Sequence, residues 1–164
     1  MGGMIASEMA AVAPRNISRL ALIAPAGLWL DRHPIPDFFA MLPFELPPVL
    51  FYDEEAGAKA MTAGVDLTDE KFLQAFLVRN ARQLGAASKI LFPIPERGLS
   101  TRLYRIKART EIIWGDSDKL ISPAYAPEFQ RGIAGSKVTI IPRAGHAVPF
   151  EKPAEVAAAI SRLA

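Results

Sequence analysis

Three short apolar runs, each cut off by a proline or a glycine, constrain this chain more than any other feature. Leu20-Ala21-Leu22-Ile23-Ala24 stops at Pro25, Glu111-Ile112-Ile113-Trp114 at Gly115, and Lys137-Val138-Thr139-Ile140-Ile141 at Pro142. Each has the length of a buried strand bounded by a breaker. Helical patterns alternate with them. Met4 to Val12 is rich in Ala and Met, Ala124 to Ile133 follows Ser122-Pro123, and Ala154 to Leu163 follows Pro153. Proline suits the first turn of a helix. Helix, strand, helix, strand, helix in this order predicts an α/β fold with a mostly parallel sheet of three strands flanked by helices.

One stretch breaks the alternation. From Leu28 to Arg97 the chain opens with the proline- and aromatic-rich HPIPDFFAMLPFELPPVLFY and continues with helical patterns over Glu54 to Ala63 and Thr68 to Ala87. In the second, Phe72, Ala75 and Phe76 recur at helical spacing while Lys71, Gln74 and Arg82 fall elsewhere, as an amphipathic helix requires. Asp66-Leu67-Thr68-Asp69-Glu70-Lys71 carries the start signal, with Thr68 the expected N-cap. The expected organisation is a first helix and strand over residues 1–27, a helical cap over 28–97, and a second core segment over 98–164.

Composition narrows the chemistry. With 164 residues and 51% hydrophobic content the chain is long and apolar enough for one compact domain. Nineteen basic against 17 acidic residues leave a net charge of +2, too balanced to make nucleic acid or an acidic membrane the main partner. The absence of cysteine excludes disulfides, thiolate catalysis and cysteine-held metals. No H-E-x-x-H, P-loop or G-x-G-x-x-G occurs, so no metal, nucleotide or other cofactor is expected. Residues 1–14 lack a basic n-region, Ala6 stands where a myristoylation start wants Ser or Thr, and the run Leu20 to Leu30 contains Pro25 and Gly27. That run is far short of the ~20 residues that span a bilayer. A soluble, cytoplasmic protein is the expectation.

Only two histidines are present. His33, between Asp31-Arg32 and Pro34, reads as a solvated loop residue. His146 sits in Ala144-Gly145-His146, shortly after the third run, and Asp118 in Gly115-Asp116-Ser117-Asp118, shortly after the second. Loops at the carboxyl ends of parallel strands are where α/β proteins carry chemistry. A carboxylate bonded to one imidazole nitrogen fixes the tautomer and leaves the other nitrogen as a base. By residue type alone, a turn aspartate and a surface histidine are the commoner account. Asp116 is the competing acid. Arg102, Arg105, Lys107 and Arg109, interleaved with Leu103, Tyr104 and Ile106, read as the solvated side of a helix.

Taken together, Gly115-x-x-Asp118-x-x-x-x-Pro123 after Ile-Ile-Trp, and Ala144-Gly145-His146 followed by Glu151-x-Pro153, resemble the acid and histidine loops of the α/β-hydrolase family. The likeness runs almost continuously from about residue 98 to 164. It implies Asp118 and His146 as catalytic acid and base, with Asp118 within hydrogen-bond reach of one ring nitrogen. In this family the nucleophile comes first, on a G-x-S-x-G turn, and Met1-Gly2-Gly3 before a small-residue helix resembles the segment just after that serine. Met1 then matches the oxyanion-hole position, and the nucleophile is expected to lie outside this chain. None of Ser7, Ser18, Ser88, Ser100, Ser117, Ser122, Ser136 or Ser161 stands in such a turn.

The implied activity is hydrolysis of an ester, or of a C–C bond next to a carbonyl, in a small apolar or aromatic substrate. Trp29, Phe38, Phe39, Leu120 and Val148 are the expected substrate contacts, with Phe51 adding to the apolar cap. Two alternatives stay open: an aspartate nucleophile, as in haloalkane dehalogenases and epoxide hydrolases, or a truncated, non-catalytic chain. The resemblance also implies a parallel neighbour of Leu20–Ala24 that ends at the nucleophile and lies outside this chain, so an exposed strand edge makes self-association a further expectation.

Overall fold

The computed structural model describes residues 1–65, 68–92, 94 and 98–164. Strands β1 (Arg19–Ile23), β2 (Arg109–Gly115) and β3 (Lys137–Ile141) form one parallel sheet in the order β1-β2-β3. Leu22 pairs with Ile112, and Ile113 with Thr139. Each strand lies within two residues of its apolar run. The central strand β2 is buried from Thr110 to Gly115, which is why its apolar residues run consecutively instead of alternating with polar ones.

The period of two divides the strand residues between two layers. Leu20, Leu22, Ile112 and Trp114 point to one face, where helices α1 (Gly2–Val12) and α5 (Ala126–Gly132) supply Ala10, Ala11 and Phe129. Ile113 and Ile141 point to the other, against Ala144, Val148, Val156 and Ala159. The last three come from α6 (Val148–Glu151) and α7 (Pro153–Ser161). Glu111 shares this second face. Only 1% exposed, it accepts hydrogen bonds from Thr139 Oγ1 at 2.6 Å and from Arg162 at 2.8 Å, the pairing that a buried carboxylate requires.

Between β1 and β2 the chain passes through α2 (Pro47–Leu50), α3 (Glu54–Met61) and α4 (Glu70–Leu91). Asp53 caps α3 by accepting from the Ala56 amide. The cap of α4 is Asp69 and not Thr68: its carboxylate accepts from the amides of Lys71 and Phe72. A carboxylate at a helix N-terminus meets both the free amides and the helix dipole. Asp66, Leu67 and the expected boundary at Arg97 lie outside the described residues.

The basic run is not one side of a helix. Leu103–Arg105 is a single 3-10 turn that buries Leu103 and leaves Tyr104 66% exposed. Arg102 grips Glu8 of α1 with two hydrogen bonds, and Arg109 opens β2 while donating to the carbonyls of Arg162 and Ala164. Arg102 and Arg109 thus tie distant chain segments together, while Lys107 bonds locally to the Tyr104 carbonyl.

Tyr125, 1% exposed, fastens the loop after β1 to the α5 side of the sheet. Its hydroxyl donates to the His33 carbonyl and accepts from the Leu30 amide, both at 2.9 Å. Burial pushes its pKa above the ordinary tyrosine value of 10.0, Asp31 adds to the rise, and the Leu30 amide opposes it. The folded state therefore holds a proton that the unfolded chain releases near pH 10. Its contribution to stability is complete below that pH and falls as pH rises above it. Thermal melts between about pH 8 and about pH 11 are expected to show an alkaline fall in Tm that Tyr125→Phe flattens. An equal slope in both proteins would refute this.

Candidate active site

The loops after β2 and β3 meet because backbone joins them. The Asp116 amide donates to Ile141 O, and the Ser117 amide to Ala144 O, each at 3.0 Å. Gly115 makes that approach possible: a Cβ there would fall on the carbonyl oxygens of Ala144 and Gly145. Arg143, at φ 53, turns the chain into the histidine loop through the left-handed region, a conformation uncommon for a residue with a side chain.

Across this junction, His146 Nδ1 and Asp118 Oδ2 lie 2.9 Å apart. The Asp118 side chain is wholly buried and that of His146 is 22% exposed. The carboxylate is held by four groups. Oδ1 accepts from the amides of Leu120 and Ile121 at 2.9 and 2.8 Å, and Oδ2 from Trp114 Nε1 at 3.1 Å as well as from the imidazole. A carboxylate fixed in this way makes Nδ1 the protonated nitrogen and leaves Nε2 with its lone pair. Asp116 is exposed and accepts from Ser117 Oγ; it takes no part in the contact.

His146 opens on a cavity of about 560 Å³, within the range of small-molecule sites. Its walls come from several parts of the chain. Met1, Met4 and Gly27 lie at the end of α1 and the loop after β1; Phe38, Leu46 and Leu50 belong to the segment before α3; Leu84, Ala87 and Leu91 line it from α4; Leu120 and Ile121 follow Asp118. Glu8, Asn80 and Gln83 are the other polar lining residues besides His146 among the described residues. No serine lines the cavity among the described residues.

Of the expected site residues, Phe38, Leu120 and Met1, the N-cap of α1, line this space. Three of the expected contacts do not. Val148 is completely buried against Ile113 and Ile141, because its place in the first turn of α6 points it into the sheet. Trp29 turns its indole toward Asp31, with Nε1 donating to Oδ1 at 2.9 Å. Phe39 packs beside Phe38, ring centroids 4.1 Å apart, and does not reach the cavity. Phe51 is buried beneath α3, where the close approach of Gly57 accommodates its ring. Sequence reasoning missed the α4 wall and the Trp114 bond to the acid. The first follows from a tertiary approach that no local pattern encodes. The second is visible in the sequence as a Trp four residues before the Asp.

The model of the alpha/beta hydrolase family matches residues 1–159. Among curated proteins, the chain is similar to monoacylglycerol lipase ABHD6 of Mus musculus, 25% identical over 179 residues that cover 96% of this chain and 50% of the relative. It is also similar to 2-hydroxy-6-oxo-6-phenylhexa-2,4-dienoate hydrolase of Comamonas testosteroni, 27% identical, with 94% and 57% covered. The chain thus spans about half the length of the curated relatives it matches. Among solved structures, the fold is shared with 2-hydroxy-6-oxo-6-phenylhexa-2,4-dienoate hydrolase of Rhodococcus sp. strain RHA1. That match has a TM-score of 0.72 at 16% identity, covering 99% of this chain and 60% of the other. Architecture, paired loops and family match lead to one conclusion: the chain belongs to the alpha/beta hydrolase family.

Proposed function

We propose that this chain supplies the acid, the base and most of the substrate cavity of a serine hydrolase acting on an ester, or on a C–C bond next to a carbonyl, in an apolar or aromatic substrate. The observation that carries the reading is the Asp118–His146 pair opening on a cavity whose walls are mainly Leu, Ile, Met and Phe. The lipase and C–C hydrolase names of the relatives support it. In this reading the helical segment between β1 and β2 is the cap over the site, and α4 its inner wall.

The chemistry follows from the geometry. A serine on the turn leading into Met1 attacks the substrate carbonyl while His146 Nε2 takes its proton, and Asp118 stabilises the imidazolium. The amide at Met1, at the N-terminal end of α1, helps bind the oxyanion. His146 then returns the proton to the leaving group, and water, activated by the same nitrogen, releases the acyl product. The codons upstream of Met1 test the assignment. Gly-x-Ser in frame immediately before Met1 is the expected sequence. Gly-x-Asp would replace it with an aspartate-nucleophile hydrolase, and an in-frame stop with a non-catalytic chain.

A further inference from the structure

Glu151 has no part in the reaction as drawn, yet its carboxylate joins the two segments between which His146 is suspended. Oε2 accepts from the Gly145 amide at 2.6 Å. Oε1 accepts from the amides of Tyr52 at 2.7 Å and Asp53 at 3.2 Å. On the other side of the histidine, the Ala147 amide donates to Leu50 O at 2.8 Å. The residues before and after His146 are therefore both bonded, directly or through Glu151, to the stretch 50–53. Contact between the two is tight as well: a Cβ on Gly145 would sit 2.7 Å from Leu50 O and 2.9 Å from the Phe51 backbone.

The stretch 50–53 also connects outward. Leu50 lines the cavity, and Asp53 is the N-cap of α3. Glu151 is the last residue of the one-turn helix α6. All three of its acceptor bonds go to amides outside the helix. Hydrogen bonds to a charged acceptor are about twice as strong as neutral ones.

We propose that Glu151 is a positioning residue that couples the segment leading into α3 to the backbone of His146, so that the cavity wall at Leu50 and the base move as one unit. The catalytic part of this proposal rests on the serine-hydrolase reading of the site; the mechanical part does not.

Hydrogen exchange followed by mass spectrometry, on the protein as encoded with its upstream residues, separates the two. Glu151→Ala is expected to speed exchange of both 50–53 and 145–147 on the order of tenfold or more, leaving β2 unchanged. Glu151→Gln has a single acceptor oxygen, so it can hold Gly145 or the Tyr52–Asp53 pair but not both, and one segment alone is expected to lose protection. Ester turnover should change in parallel. Glu151→Ala lowers kcat about tenfold or more, whereas Arg162→Ala, which breaks the Glu111 pair on the sheet, leaves kcat unchanged. The proposal is overturned if Glu151→Ala leaves both segments protected, if it accelerates β2 equally, or if Glu151→Gln protects both. It is also overturned if kcat falls no further than in Arg162→Ala. Coupled exchange in a protein whose unsubstituted form hydrolyses neither an ester nor a C–C bond next to a carbonyl would instead refute the hydrolase reading alone.

Discussion

In a protein that joins this chain to its serine nucleophile, His146→Ala is expected to lower ester turnover on the order of a million-fold, as loss of the base of such a triad does. Asp118→Asn is expected to cost on the order of ten thousand-fold, and its bonding explains why the milder change is still severe. The amides of Leu120 and Ile121 both donate to Oδ1, so the amide oxygen of the new side chain stays there. Its NH2 group then takes the place of Oδ2, facing Trp114 Nε1–H and His146 Nδ1. Two donors confront each other at the indole, and the imidazole must accept at Nδ1, which puts its proton on Nε2. A base protonated at Nε2 cannot take the serine proton. Hydrolysis of a p-nitrophenyl ester at several pH values measures both effects. The same assay on residues 1–164 alone is expected to show no turnover that His146→Ala removes. Turnover of that kind would mean that one of the serines in this chain is a nucleophile.

The strands and the loops that carry Asp118 and His146 are legible in the sequence because each is written locally. Three apolar runs with breakers locate the strands, and the residues just after two of them locate the chemistry. Choosing Asp118 over Asp116 needs a resemblance; the structure adds the physical reason, since only Asp118 turns inward to the Leu120 and Ile121 amides. Trp29 and the cap of α4 depart from expectation through neighbours two or three residues away, but elsewhere the deciding partner is far along the chain. Val148 is drawn into the second core layer by Ile113 and Ile141. Arg102 is claimed by Glu8, 94 residues earlier. The bonds of Glu151 to Tyr52 and Asp53 span 98 or more residues, and no periodicity or spacing encodes them. Aromatic composition points to an apolar segment but not to which rings face the cavity: Phe38 lines it, while its neighbour Phe39 does not.

The second large effect concerns the sheet edge. β1 has β2 on one side and no strand on the other among the described residues, so alternate N–H and C=O groups of Arg19–Ile23 face outward. Arg19 is the only charged residue in this strand, little defence against pairing with another chain. Beside it, α1 leaves Ile5, Met9 and Val12 37%, 59% and 69% exposed. They recur at helical spacing and so form one apolar stripe. An open edge next to an apolar stripe favours association between copies. Residues 1–164 in isolation are therefore expected to form dimers or larger species whose proportion rises with concentration, as measured by light scattering after size-exclusion chromatography. Ala21→Lys, which places a charge in the middle of the edge strand, is expected to shift the population toward monomer. A monodisperse monomer at every concentration, with a cooperative melt, would show that another part of the chain covers the edge.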